Sequence, residues 1–173
     1  VPFPRIDFFA LSERMMAMDD AAWARHANPW SVYSRMSILP LMTLAIWSHL
    51  WLGWGALAPV ALVVLWTWWN PRAFGTPTTT NNWAARGTFG ERVFLNRAKV
   101  PIPEHHTRGA KILTLISGLG ILPWVFGIWQ ADVGMTLFGL SLMIGGKLWF
   151  FDRMVWLYQD MRSKNPDYAD WLY

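Results

Sequence analysis

Four apolar stretches, residues 36–52, 53–69, 111–130 and 133–151, constrain this chain more than any other feature of its sequence. Each is close to the length a helix needs to cross about 30 Å of hydrocarbon at about 1.5 Å per residue. The chain has 173 residues, of which 54% are hydrophobic and 15% charged, so it has too little polar surface to cover those stretches in water. The expected fold class is therefore all-α integral membrane, with four transmembrane helices.

The connections between the stretches fix their arrangement. Only Trp51-Leu-Gly-Trp-Gly55 separates the first two, and only Trp129-Gln-Ala-Asp132 the last two, so each pair reads as a tight antiparallel hairpin. A connector over residues 70–110 joins the hairpins. Neither hairpin turn holds any of the 15 Lys and Arg residues, which lie before the first stretch, around the connector, or in and after the last stretch. Short translocated loops lack such residues, so both termini and the connector are expected on the cytoplasmic side of the inner membrane. Trp47, Trp51, Trp54 and Trp129 gather at the outer ends, and Trp66, Trp68, Trp69 and Trp149 toward the inner ends, as two interfacial belts.

Pro40, Pro59 and Pro123 fall inside stretches and predict kinks. In the last stretch Gly139, Ser141 and Gly145 form a small-residue strip suited to helix packing, either within the bundle or against a partner subunit.

The chain has no cysteine, which excludes disulfides, thiolate metal sites, cysteine nucleophiles and covalent c-type haem. Its net charge of +4 follows the membrane's orientation rule, so no nucleic-acid partner is expected. Residues 1–20 carry Arg5, Asp7, Glu13, Arg14, Asp19 and Asp20 without a continuous apolar core, unlike a signal peptide. The organisation that follows is an N-terminal extension over 1–17, an interfacial helix and lead-in over 18–35, a membrane domain over 36–161 and a tail over 162–173.

Polar chemistry concentrates on the cytoplasmic face. Asp19 and Asp20 are placed to cap a short helix that Asn28-Pro29 stops, and that helix is expected to rest in plane on the headgroups. A second short helix, around residues 83–97, would bring arginines to anionic lipid; Arg35, Arg86, Arg92 and Arg97 are the candidates for lipid or anion contact. That helix could also dock on the N-terminal segment.

Catalytic candidates are Glu91, Glu104, His105 and His106. No metal site is expected, because adjacent histidines project differently and a site needs three or four converging ligands. Lys147 lies within the last stretch and needs a carboxylate partner, for which Glu91 or Glu104 would serve. His49, the one histidine inside an apolar stretch, could ligate a haem iron or the magnesium of a (bacterio)chlorophyll from one side.

Five segments carry a family resemblance: His26-Ala-Asn-Pro-Trp-Ser-Val-Tyr-Ser-Arg35, Asn70-Pro-Arg72, Gly90-Glu-Arg-Val-Phe-Leu-Asn-Arg97, Pro103-Glu-His-His106 and Lys147-Leu-Trp-Phe-Phe-Asp-Arg-Met-Val-Trp156. Across residues 18–161 the chain resembles a family of small, Trp-rich prokaryotic multi-pass membrane proteins defined only as a domain of unknown function. The resemblance implies a four-helix membrane fold and no assigned activity.

Three functions compete on these residues. The first is a non-catalytic accessory or scaffold subunit of a larger respiratory or photosynthetic membrane complex, binding partner helices and lipid. The second is a membrane enzyme or lipid-acting protein with a His/Glu/Arg site on the cytoplasmic face. The third is pigment or haem binding through His49.

Overall fold

The computed structural model describes residues 19–173, so the N-terminal extension over 1–17 lies outside the described residues. Among the described residues every regular element is helical. Two short helices come first. The Asp19 carboxylate accepts from the Ala22 amide at 2.6 Å and opens α1 (Asp20–His26). The Asn28 side chain then accepts from the Trp30 amide at 3.0 Å and opens α2 (Pro29–Met36), with Pro29 in the first turn where its missing N–H costs nothing.

The first apolar region comprises α3 (Ile38–Trp47), α4 (His49–Leu52), a 3₁₀ turn (Gly53–Ala56) and α5 (Leu57–Ala73). The connector carries α6 (Trp83–Leu95) and a second 3₁₀ turn (Asn96–Ala98). The second apolar region comprises α7 (Glu104–Leu119), α8 (Ile121–Trp129) and α9 (Val133–Arg162); α10 (Pro166–Ala169) follows.

The three prolines of the apolar stretches sit where a helix restarts. Pro40, Pro59 and Pro123 are each the third residue of α3, α5 and α8, following interruptions at Ser37, the Gly53–Ala56 turn and Gly120. The first four N–H groups of a helix have no intrahelical acceptor, so the interruption absorbs the donor that proline lacks.

Three stretches are long and apolar enough to cross a membrane: Pro29–Ala73, Glu104–Trp129 and Val133–Arg162. The first counts 45 residues, far more than one crossing requires. Gly53 breaks it, with φ 54° and ψ −127°, a conformation that only glycine adopts without strain. Beyond the break α5 runs back along α3, and its end meets α2. There the Ser31 hydroxyl donates to Asn70 Oδ1 at 3.0 Å, and Asn70 Nδ2 donates to the Ser34 hydroxyl at 2.6 Å. The second turn uses Ala131 at φ 53°, after which Asp132 caps α9 by accepting from the Met135 amide at 2.9 Å.

Burial is distributed inside out. In the most apolar windows of the three stretches only 6%, 17% and 22% of residues are buried, so residues such as Leu62, Leu65, Leu122 and Phe138 point outward. The packed core lies instead at the connector end, where Met154, Leu157, Tyr158 and Met161 of α9 meet Phe89, Val93 and Phe94 of α6 and Leu113 of α7. Close approach is possible because Gly90 faces the α9 backbone; a Cβ there would overlap the Met154 carbonyl.

Two helices extend past the apolar stretches. That of the second stretch continues through Pro71 to Ala73, with Asn70 fully buried and anchored to Ser31 and Ser34. The last runs 30 residues to Arg162, and its final turns carry the core that α6 and α7 cover. Helix α1 does not lie free on a surface: Ala22, Trp23 and His26 are buried against the protein. Helix α6 meets the N-terminal segment, the second of its two expected placements: it is buried along Ala84, Ala85, Thr88, Phe89 and Val93, and Arg92 ties it to Asp20 of α1.

Candidate functional site

Where α6 covers the helix ends, α1, α2, α3, α6 and α9 line a half-open cavity of about 360 Å³. That is the lower end of the range for small-ligand sites, about 300–1,000 Å³. Its wall is mostly apolar, with Val32 and Met36 from α2, Leu39 from α3, Phe94 from α6, and Ile144 and Phe151 from α9. Four ionisable side chains also line it: His26 from α1, Arg35 from α2, Glu91 from α6 and Lys147 from α9.

These four arrive from four different helices, and local packing orients each. Ser31, on the same face of α2 one turn earlier, is fully buried against Asn70, and its carbonyl accepts from Arg35 Nε at 3.2 Å. The guanidinium is thereby turned inward, where Nη1 meets His26 Nε2. A guanidinium can only donate, so Nε2 is the accepting nitrogen and the His26 proton resides on Nδ1. Trp23 holds the imidazole edge-on, with ring centroids 5.7 Å apart.

Among the described residues, two donors at this site, His26 Nδ1 and Arg35 Nη2, are buried without a hydrogen-bond partner. An unpaired buried donor costs about 1–3 kcal/mol, so two of them on residues that line one cavity draw attention to it as a place for an acceptor. Burial holds the His26 imidazole well below its ordinary pKa, and the positive charges of Arg35 and Lys147 push it further down, so the ring is neutral. Burial raises the Glu91 carboxyl, while Arg35 and Lys147 pull it partly back. The set is thus a cationic, donor-rich pocket with one titratable acceptor.

The remaining sequence candidates divide between other places. Glu104, His105 and His106 open α7, and the Glu104 carboxylate accepts from Arg108 at 3.2 Å. The His106 ring is buried, and its Nε2 lies 2.7 Å from Asp160 of α9, a residue that sequence reasoning did not single out. Arg92 pairs with Asp20 and stacks over Trp171 at 4.5 Å, Arg97 donates to the Phe94 carbonyl at 2.7 Å, and Arg86 reaches Asn81. Arg35 alone of the four arginines lines the cavity.

His49 stands exposed at the start of α4. Its Nδ1 donates to the Ile46 carbonyl at 2.7 Å, which leaves Nε2 as the nitrogen bearing a lone pair. Gly139 packs against the α8 backbone at Trp124, whereas Ser141 and Gly145 face outward and nothing approaches the Gly145 Cα within reach of a Cβ. Asp152 accepts from the Trp83 indole at 2.9 Å and so pins the start of α6 to α9.

A sequence profile for a family of unknown function, DUF6653, matches residues 10–171. The chain belongs to this family. The match begins inside the segment read above as an extension, so part of that segment is shared with other DUF6653 members. No curated protein and no solved structure matches the chain. The cavity and its four ionisable residues lie wholly within the matched DUF6653 region.

Proposed function

We propose that this DUF6653 protein crosses a prokaryotic inner membrane four times, with both termini cytoplasmic, and holds the phosphate-bearing headgroup of an anionic lipid in the cavity between its hairpins. The observation that carries this reading is that His26, Arg35 and Lys147 line one cavity, while His26 Nδ1 and Arg35 Nη2 are buried without a hydrogen-bond partner among the described residues. Phosphate supplies several strong acceptor oxygens and at least one negative charge, which suits three donors and two fixed cations. The apolar remainder of the wall, Leu39 and Ile144 among it, suits the first methylenes of an acyl chain. Glu91 adds a carboxyl that can take up or release a proton near the headgroup.

Native mass spectrometry of protein purified in mild detergent tests the binding. Wild type is expected to retain an anionic lipid that Arg35→Gln and Lys147→Met lose; retention unchanged in both variants overturns the reading. The absence of cysteine makes topology simple to test with introduced thiols. An impermeant maleimide added outside intact spheroplasts should label Ala131→Cys and leave Thr78→Cys unlabelled.

A second reading, an accessory subunit of a larger membrane complex, draws support from the outward strip at Ser141 and Gly145, where open space would let another helix approach closely. Isolation without any stoichiometric protein partner would count against it.

A further inference from the structure

A second cluster lies outside the cavity, where the start of α7 meets the last third of α9. His105 and His106 are adjacent, and neighbours on a helix ordinarily diverge by about 100°. Here their rings tilt toward one another, with centroids 4.1 Å apart, and both present Nε2 to the same carboxylate. His106 Nε2 is 2.7 Å from Asp160 Oδ2 and His105 Nε2 is 3.9 Å from it, and the three potential ligand atoms all lie within 4.8 Å of one another.

We propose that His105, His106 and Asp160 bind a divalent first-row transition-metal ion, with one or more further positions open to water. Two imidazoles and a carboxylate are a donor set such ions favour over hard, oxygen-seeking cations. For zinc at about 2.0–2.1 Å from each ligand, tetrahedral geometry places neighbouring ligand atoms about 3.3 Å apart. The two separations from Asp160, 2.7 and 3.9 Å, bracket that value, and all three ligand atoms lie within 4.8 Å, so modest side-chain rotations suffice.

The accessibility of the three groups fits an exchangeable site. The His106 side chain is 2% exposed and gives a fixed wall, while those of His105 and Asp160 are 66% and 47% exposed, so an ion can reach them from solvent. Glu104, the nearest carboxylate in sequence, is occupied by Arg108 and stays outside the set. In the metal-free protein Asp160 accepts from His106, and that hydrogen bond gives way to coordination when both donor atoms share the ion.

The site lies in the same DUF6653 region as the lipid cavity but uses none of its residues, so the two proposals stand or fall separately. The test uses full-length, tag-free protein in detergent, treated with chelator and titrated with Zn²⁺ by calorimetry, and with Co²⁺ by visible absorption. One Zn²⁺ per chain is expected, with a raised thermal midpoint and Co²⁺ ligand-field bands. His105→Ala and Asp160→Asn should each weaken Zn²⁺ binding at least tenfold and abolish the thermal shift. His105 is exposed, so its replacement leaves the buried His106 contact and the fold in place. Absence of saturable Zn²⁺ binding in wild type, or equal binding in both variants, overturns the proposal and leaves His106–Asp160 as a hydrogen bond tying α7 to α9.

Discussion

Arg35 donates to His26 Nε2, and this contact fixes the tautomer of an imidazole that lines the cavity. With Nε2 engaged, the neutral ring must carry its proton on Nδ1, which finds no acceptor among the described residues. The pair thus leaves two buried donors without a partner there, Arg35 Nη2 and, on the neighbouring ring, His26 Nδ1.

Replacing Arg35 should therefore remove more than one charge. Arg35→Gln is expected to weaken anionic-lipid binding by about ten- to a hundredfold, because charge-assisted hydrogen bonds contribute about 1.5–3 kcal/mol. Arg35→Lys should rescue little of it, since an ammonium cannot hold the imidazole and the ligand with a planar fork. Competition between labelled and unlabelled anionic lipid in nanodiscs measures both.

Binding should also depend on pH through Glu91. Its carboxyl is raised above the ordinary value by burial, so it stays neutral over a wider range and ionises as pH increases. Ionisation cancels one of the two fixed positive charges, so affinity for an anionic headgroup is expected to fall as pH rises from about 4.5 through the raised value. The folded state binds more protons than the unfolded state in that window, so Glu91 also lowers stability as pH rises. Glu91→Gln should flatten the affinity profile near its low-pH level; an unchanged slope would mean that another group titrates.

Glycine replacements should separate internal from outward faces. Alanine normally stabilises a helix interior by about 1 kcal/mol relative to glycine. At Gly90 the added methyl meets the Met154 carbonyl, backbone that cannot step aside, so Gly90→Ala is expected to destabilise by about 1–3 kcal/mol. At Gly145 nothing stands within reach, and Gly145→Ala should be neutral or stabilising in the isolated protein. Thermal unfolding in detergent distinguishes the two.

Asn70 is the third structural test. It is fully buried and hydrogen-bonded to both Ser31 and Ser34, joining α5 to α2. Asn70→Ala leaves two serine hydroxyls without that partner and should cost about 1–3 kcal/mol. Because Ser31 also supports Arg35 through its carbonyl, lipid affinity should fall along with stability.

The sequence displayed the helical frame because that frame depends on local signals. Gly53 and Asp132 mark the turns by their own chemistry, one through permitted dihedrals and one through a cap. An ionisable Lys147 within an apolar stretch likewise announced a need for a carboxylate, and between Glu91 and Glu104 the fold brings Glu91 to its cavity. What stayed hidden depends on distant packing. Asp160 sits 54 residues from His106 on a polar helix end like any solvated acid. The extent of the buried face of α6 was masked by its arginines, of which Arg92 meets Asp20 and the Trp171 ring and Arg86 meets Asn81.

Helix α9 spans 30 residues, about 45 Å, against about 30 Å of hydrocarbon. With Val133 at the far boundary, the near boundary falls around Phe151 to Arg153, one turn beyond Lys147. In the proposed membrane the cavity therefore opens at headgroup depth, and its ligand arrives sideways through one leaflet. The search is two-dimensional, and occupancy follows the ligand's mole fraction among neighbouring lipids rather than its solubility in water. A modest intrinsic affinity then suffices to keep the site filled, and a shift in lipid composition is enough to empty it.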